Sequence, residues 1–209
     1  MRVILPMKHE AEDLTPRVLR VIHYVFLAAG IIALAIAGYA ELDRYWFQKI
    51  ETSKFETVGV PAKPPAIEAA PIGDGGVIGE LEVSRLGLKA MIVQGDSENL
   101  LRRAVGHLPE TALPGEAGNV ALAGHRDGLF RPLRDVRPGD LITLRTPDRE
   151  FQYQVEWTAV VPPTAVRVIQ PTTEQTLTLV TCFPFYYVGA APERFVVRAH
   201  KISVAPRAP

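Results

Sequence analysis

The sequence predicts a mainly β fold: a closed or nearly closed barrel of about eight strands with short helices between them, preceded by one N-terminal transmembrane helix. Three observations point there. The run from Val21 to Ala40, VIHYVFLAAGIIALAIAGYA, carries no formal charge. As a helix it is long enough to span a hydrocarbon core of about 30 Å. From Val77 onward, short segments alternate apolar and polar residues between turn sequences, which is the pattern of half-buried strands. Helical spacing in that region is sparse.

The elements follow in order. Residues 1–20 form a cytoplasmic tail and residues 21–40 the membrane helix. Tyr24 lies near one end of the apolar run, and Tyr39, Tyr45 and Trp46 lie at the other, as interfacial anchors do. The run is longer than a signal-peptide core and no small-residue cleavage site stands out, so it reads as an uncleaved anchor. Arg2, Lys8, Arg17 and Arg20 precede it; Arg44, Lys49 and Lys54 follow. The basic side faces the cytoplasm, which places the C-terminal part outside the membrane.

Residues 41–76 form a juxtamembrane segment and linker. Residues 41–54 are charged and aromatic and can continue as helix. Residues 55–76 are rich in Pro and Gly and read as a semi-extended tether; packing through Ile67 and Ile72 is the alternative. Residues 77–209 form the globular domain. Val77, Gly79, Leu81 and Val83 alternate, as do Leu86, Leu88, Ala90 and Ile92. Asp96 or Ser97 caps a helix over 97–108 in which Leu100, Leu101, Ala104, Val105 and Leu108 share a face. His107 sits at its end, where a cation suits the dipole. Ala112–Gly115 is a turn. Strands are expected over Asn119–Ala123, in LITLRT after Pro138-Gly139-Asp140, and after Pro147-Asp148, where Phe151, Tyr153, Val155 and Trp157 share one face. Two more run over Thr176–Cys182 and Arg194–Ile202.

Net charge is zero over 209 residues, so nothing calls for nucleic acid. The single cysteine, Cys182, forms no internal disulfide, and no zinc framework exists. A lone cysteine is often a small buried apolar group. It is also a candidate nucleophile where a base and an oxyanion donor are at hand. His125, in A-L-A-G-H-R-D, follows a buried strand; a structural role is the alternative. Arg194 opens the last strand; a solvated edge residue is the alternative. The order His, Cys, Arg differs from the papain order, and no G-x-S-x-G elbow is present.

T-L-V-T-C at 178–182 resembles the T-L-x-T-C signature of sortases, the membrane-anchored transpeptidases of bacterial surfaces. The resemblance continues through A-L-P-G-E-A-G-N-V at 112–120, A-G-H-R-D at 123–127, F-R-P-L-R at 130–134, G-D at 139–140 and E-R-F-V-V-R-A at 193–199. C-F-P-F-Y-Y-V-G-A-A-P-E-R looks most like the class D group. The resemblance implies a closed eight-stranded sortase-type β-barrel. It implies Cys182 as nucleophile on the threonine carbonyl of an L-P-x-T-[GA]-like signal, His125 as general acid/base and Arg194 as substrate-positioning and oxyanion-stabilising residue. Thr181, Val180 and Ala123 are expected at the substrate, with a plain strand role standing beside contact for Thr181. Val161–Thr173 is expected to line the groove and shape selectivity.

The resemblance further implies a surface-protein substrate bearing the sorting signal, an amine acceptor from a peptidoglycan precursor or pilin, and a single-pass membrane location. No cofactor is expected. Some sortases bind calcium, but residues 162–177 hold only Glu174 as a carboxylate, so no metal is expected. Asp43, Trp46 and Asp74 do not form an inhibitory plug pattern. Asp127 is expected to cap a short helix starting at Gly128, with orientation of His125 as the alternative; His200 is expected at the surface, and His9 belongs to the tail. A thiol protease resolving the thioester with water, a pilin-polymerising enzyme and a binding-only barrel are the rival readings.

Overall fold

The computed structural model describes residues 15–57, 72–186 and 189–207. The tail through residue 14 and the linker stretch 58–71 lie outside the described residues. Two compact units are present, one ending at Leu42 and one spanning Asp43–Pro209.

Helix α1 covers Thr15–Thr57. Up to Leu42 its described side chains are exposed, including Phe26 at 73% and Leu34 at 75%. An apolar helix whose side chains are exposed in this way is suited to lipid, and this stretch is a candidate membrane span. From Asp43 the helix becomes amphipathic. Asp43, Phe47, Gln48, Glu51 and Thr52 are half-buried and Phe55 is buried, at the spacing of one helical face. The expected helical continuation over 41–54 is therefore present, and it docks on the barrel.

The barrel strands are β1 (Val77–Val83), β2 (Leu88–Gln94), β3 (Val105–His107), β4 (Asn119–Ala123), β5 (Leu141–Arg145), β6 (Arg149–Val161), β7 (Thr176–Phe183) and β8 (Glu193–Pro206). They close in the order β1-β2-β3-β4-β7-β8-β6-β5. Pairs β2/β3 and β4/β7 are parallel and the rest antiparallel. Leu81, Ile92, Leu122, Ile142, Leu144, Tyr153, Leu177 and Leu179 fill the interior without solvent exposure beyond 1%. Each such aliphatic side chain contributes about 2 kcal/mol of burial.

β2 pairs with β1 along its length but with β3 only over Ile92–Gln94. The neighbouring Met91 is fully buried, and a buried N–H needs an acceptor. Gln48 of α1 supplies it: Met91 N donates to Gln48 Oε1 at 2.9 Å, and Gln48 Nε2 donates to Arg103 O at 2.6 Å. One side-chain amide thus stands where a ninth strand would. Asp43 pairs with Arg103 at 2.7 Å, and the Arg207 guanidinium lies 4.0 Å above the Phe55 ring. The end of the linker is also tied down, since Gly75 N donates to Gln94 O and Gln94 N to Gly76 O, both at 2.8 Å.

Two expectations need correction. The helix predicted over 97–108 is only α2, Glu98–Leu101, and His107 belongs to β3. Val105–His107 pairs instead with β2 and β4, and Gly106 allows this close passage: a Cβ there would lie 2.4 Å from Gly95 O and 2.7 Å from Leu101 Cδ2. His107 is almost fully buried. Its Nδ1 faces Gln94 Oε1 and its Nε2 faces Ala112 O, each at 3.0 Å. Burial pushes its pKa down, outweighing the Ala112 carbonyl that opposes this.

The second correction is on β6. Phe151, Tyr153 and Val155 point inward, but Trp157 is 40% exposed. The β6/β8 register slips between Val155 and Trp157, leaving Glu156 as an extra residue. A bulge of this kind moves the following side chains to the other face.

Replacing Gln48 by Leu strands the Met91 N–H in a buried position. The full chain in detergent is expected to lose about 1–3 kcal/mol in denaturant unfolding; an unchanged midpoint would show the contact to be idle.

The His107 pKa in the fold lies below its unfolded value, so the unfolded chain takes up its proton first as pH falls. Stability is full above about pH 6.5 and is lost as pH drops from there toward the folded pKa. Glu82 and Asp140, held low by hydrogen bonds from Ser84 and Arg85 respectively, act only in the more acidic carboxylate range. His107→Gln is expected to flatten the fall in Tm just below pH 6.5, and an unaltered slope would exclude His107 as its source.

Candidate active site

The site is read from the barrel's outer face, where β4, β7, β8 and β6 lie side by side. Cys182 is paired with Arg194, and Arg194 with Val161. One row along, Ala123, Val180, Val196 and Ala159 are in register. The row after that holds Ala121, Thr178, Arg198 and Trp157. Side chains opposite one another in a ladder share a face, so the Cys182 thiol and the Arg194 side chain project from the same surface. The ladder between β4 and β7 ends at Ala123 and Val180. His125 and Cys182 each lie two residues beyond that pair. The three sequence-predicted chemical residues therefore leave adjacent strand ends. Ala123 and Val180 lie in the next row of that face, both half-buried.

Thr181 points the other way. It is 2% exposed, and its hydroxyl donates to Gly124 O at 2.7 Å. Its side chain has almost no exposed surface; it ties β7 to the residue before His125. Gly124 N donates to Val180 O at 3.2 Å, completing the link. Gly124 is required sterically, since a Cβ there would sit 2.8 Å from Phe130 Cδ2. Phe130 is fully buried and its ring lies directly against the backbone at Gly124.

After His125 the chain turns through residues 126–130, with Gly128 N and Phe130 N both donating to His125 O at 3.2 Å. The 3-10 helix that follows starts at Arg131, with Phe130 at its N-terminus and no side-chain cap. Asp127 is thus not the expected cap: the backbone carbonyl of His125 organises this turn. His125 Nε2 lies 3.5 Å from Glu98 Oε1, and Glu98 is well exposed. Arg194 Nη1 donates to Glu193 O at 2.9 Å and Ala191 O at 3.3 Å, which holds its cation at the start of β8.

The lower rows of this face are covered by the β6–β7 connection. Asn119 Nδ2 donates to Val168 O and Gln170 O, each at 3.2 Å. Asn119 Oδ1 accepts from Thr178 at 2.6 Å and Thr176 at 3.2 Å. Arg198 adds bonds to Val168 O at 2.7 Å and Thr176 Oγ1 at 3.0 Å, and stacks on Trp157 at 5.6 Å. Burial lowers its pKa. Sequence reasoning missed Asn119, Arg198, Trp157 and Glu98 here. The alternation Thr176, Thr178 was the available signal for a polar outer row. Among the described residues no cluster of carboxylate, His or Cys groups is arranged to hold a metal.

A thiol at a strand end, with an imidazole just past the end of the adjoining strand and a guanidinium opposite, has the parts for acyl transfer. Residues 81–202 match the Sortase domain family. This chain belongs to the sortase family. Sortase D of Bacillus subtilis (strain 168) is 28% identical over 199 residues, covering 88% of this chain and 99% of that protein. Sortase A of Listeria monocytogenes is 29% identical over 170 residues, covering 75% of each. The solved structure of a Clostridium perfringens Sortase D5 transpeptidase superposes with a TM-score of 0.63 at 26% identity, covering 77% of this chain and 99% of that one. The class D likeness read from the motifs accords with these relatives. Sortases are cysteine transpeptidases that act on proteins bearing a sorting signal and on amine acceptors.

Gly124→Ala forces Phe130 or the His125 turn to move. A stability loss of about 1–3 kcal/mol is expected, together with slower turnover of a sorting peptide. Wild-type unfolding and wild-type rate in this variant would show that the contact does not position the turn.

Proposed function

We propose that this sortase is a single-pass membrane enzyme that cleaves an L-P-x-T-[GA]-like signal after threonine and transfers the protein to an amine. The reading rests on the Cys182–Arg194 register pair, with His125 leaving the strand on the other side of Cys182. The Cys182 thiolate attacks the threonine carbonyl carbon. The oxyanion that forms is stabilised by the Arg194 cation. Collapse breaks the C–N bond, and His125 gives its proton to the departing amine. The acceptor amine then attacks the thioester carbonyl, His125 takes up the proton released, and the new amide forms as the thiolate leaves. Ala123 and Val180 form the apolar floor beside the thiol, and the 162–175 segment shapes the groove. The apolar part of α1 anchors the enzyme, with residues 1–20 on the cytoplasmic side and the barrel outside. A peptidoglycan precursor or a pilin supplies the amine.

Incubating the full chain in detergent with a sorting-signal peptide is expected to give a thioester adduct on Cys182, seen as a mass gain in intact-protein mass spectrometry. Adding an amine should convert the product from free acid to amide. Cys182→Ala should keep the fold and lower the rate by roughly a thousandfold or more. Full activity in that variant would end the assignment, and free acid alone in excess amine would make the enzyme a hydrolase.

A further inference from the structure

The connection from β7 to β8, residues 184–192, begins two residues after Cys182 and ends two before Arg194. At its base, Phe183 and Phe195 stack at 6.4 Å, and Phe185 meets the Phe195 ring edge-on at 5.3 Å. Beyond that base the connection carries Tyr186, which is 71% exposed. An exposed aromatic gains little from burial, yet this ring has two cationic partners. The guanidinium carbons of Arg131 and Arg134 lie 6.0 and 5.6 Å from its centroid, within cation–π range. Arg134 Nη1 also donates to the Tyr186 hydroxyl oxygen.

Both arginines sit on the 3-10 helix Arg131–Asp135, whose Leu133 is fully buried, as is the preceding Phe130. Their backbone is therefore anchored in the core. A second tie lies further along the same connection: Arg126 Nη2 donates to Gly189 O at 3.0 Å. Arg126 is the residue after His125. Thus the segment that carries His125 grips the connection that joins Cys182 to Arg194, at two separate points.

The geometry points to a clasp, formed by Tyr186 with Arg131 and Arg134, that positions the β7–β8 connection against the His125 turn and so keeps the three chemical groups in mutual register. This deepens the sortase reading and rests on it. Tyr186 and Arg134 are positioning residues: they act on the reacting groups through the backbone of the two segments they join. Arg194 is the group most affected. It stands at the exit of the clasped connection, and its side-chain bonds go to that connection's Ala191 O and to Glu193 O where β8 begins. A shift of the connection moves those carbonyls and the guanidinium with them.

The test uses the full chain in detergent, a sorting-signal peptide and hydroxylamine as acceptor. Tyr186→Ala and Arg134→Ala are each expected to lower kcat/KM on the order of tenfold, because small misplacements of reacting groups are costly. The loss should fall on kcat more than on KM, since alignment is lost in the transition state. The double variant should be no slower than either single one. Tyr186→Phe keeps the ring within reach of both guanidinium groups and should retain at least about half the rate. Additive losses, unchanged rates in folded Ala variants, or a Phe variant as slow as Ala would each overturn the clasp.

A second readout does not need turnover. Cys182 is the only thiol, so the pH dependence of its alkylation by iodoacetamide reports the groups around it. That profile should move in Tyr186→Ala, and an identical profile overturns the proposal. If the wild-type chain forms no thioester with any sorting peptide, the transpeptidase reading falls, while the alkylation arm still decides the clasp.

Discussion

The parallel pairing of β4 with β7 is the constraint on which the rest of the site depends. Parallel neighbours run the same way, so both strands deliver their next residues to the same end of the barrel. His125 and Cys182 leave that end together because Ala123 and Val180 are in register. Parallel strands are not adjacent in sequence, and the long excursion between these two builds β5, β6 and the covering segment. Period-two alternation then divides the labour on β7. Leu177, Leu179 and Thr181 face inward, while Thr176, Thr178, Val180 and Cys182 face the outer surface. Shifting the register by one residue would bury the thiol and expose two leucines, so the fold's largest energetic term also fixes where the Cys182 thiol points.

Polar groups finish what the apolar core begins. Asn119 is nearly inaccessible, and its amide is satisfied on both sides, by two threonine hydroxyls and by two carbonyls of the β6–β7 connection. Such a network is costly to leave half-made, so it defines one position for a segment that has few apolar anchors of its own. Gln48 does comparable work elsewhere, closing a gap in the sheet that strand pairing leaves open. In both places a primary amide imitates the peptide group: one acceptor and two donors on a planar unit. The unit from Asp43 to Pro209 therefore includes the second part of α1 as part of its structure.

Much of this was legible in the sequence, for identifiable reasons. β4 matches its expected range and β7 extends one residue past its own, because their alternation is strong; β8 starts one residue early and runs on to Pro206, past the expected end at Ile202. The helix continuing past residue 40 was readable from its charge pattern. β3 was not. Its three residues follow leucines at helical spacing, and the decisive fact is the closeness of Gly95 to Gly106, which no local pattern shows. Trp157 was misassigned because a bulge breaks the count without leaving a Gly or Pro as a marker. Thr181 read equally as a substrate contact or a plain strand residue, and its parity places it with Leu177 and Leu179. The ties from Arg131 and Arg134 to Tyr186 join positions more than fifty residues apart, and only the folded chain brings them together.

The extra residue at Glu156 gives β6 a consequence of its own. Before it, Phe151, Tyr153 and Val155 face the barrel interior; after it, Trp157, Ala159 and Val161 share the outer face with Arg198, Val196 and Arg194. One strand thus serves two masters in sequence, the first half answering to the core and the second to the outer face. A hydrophobic substitution has opposite meanings on the two sides of that single residue. The outer-facing end of β6 can accordingly be re-lettered while the interior end is left as it stands.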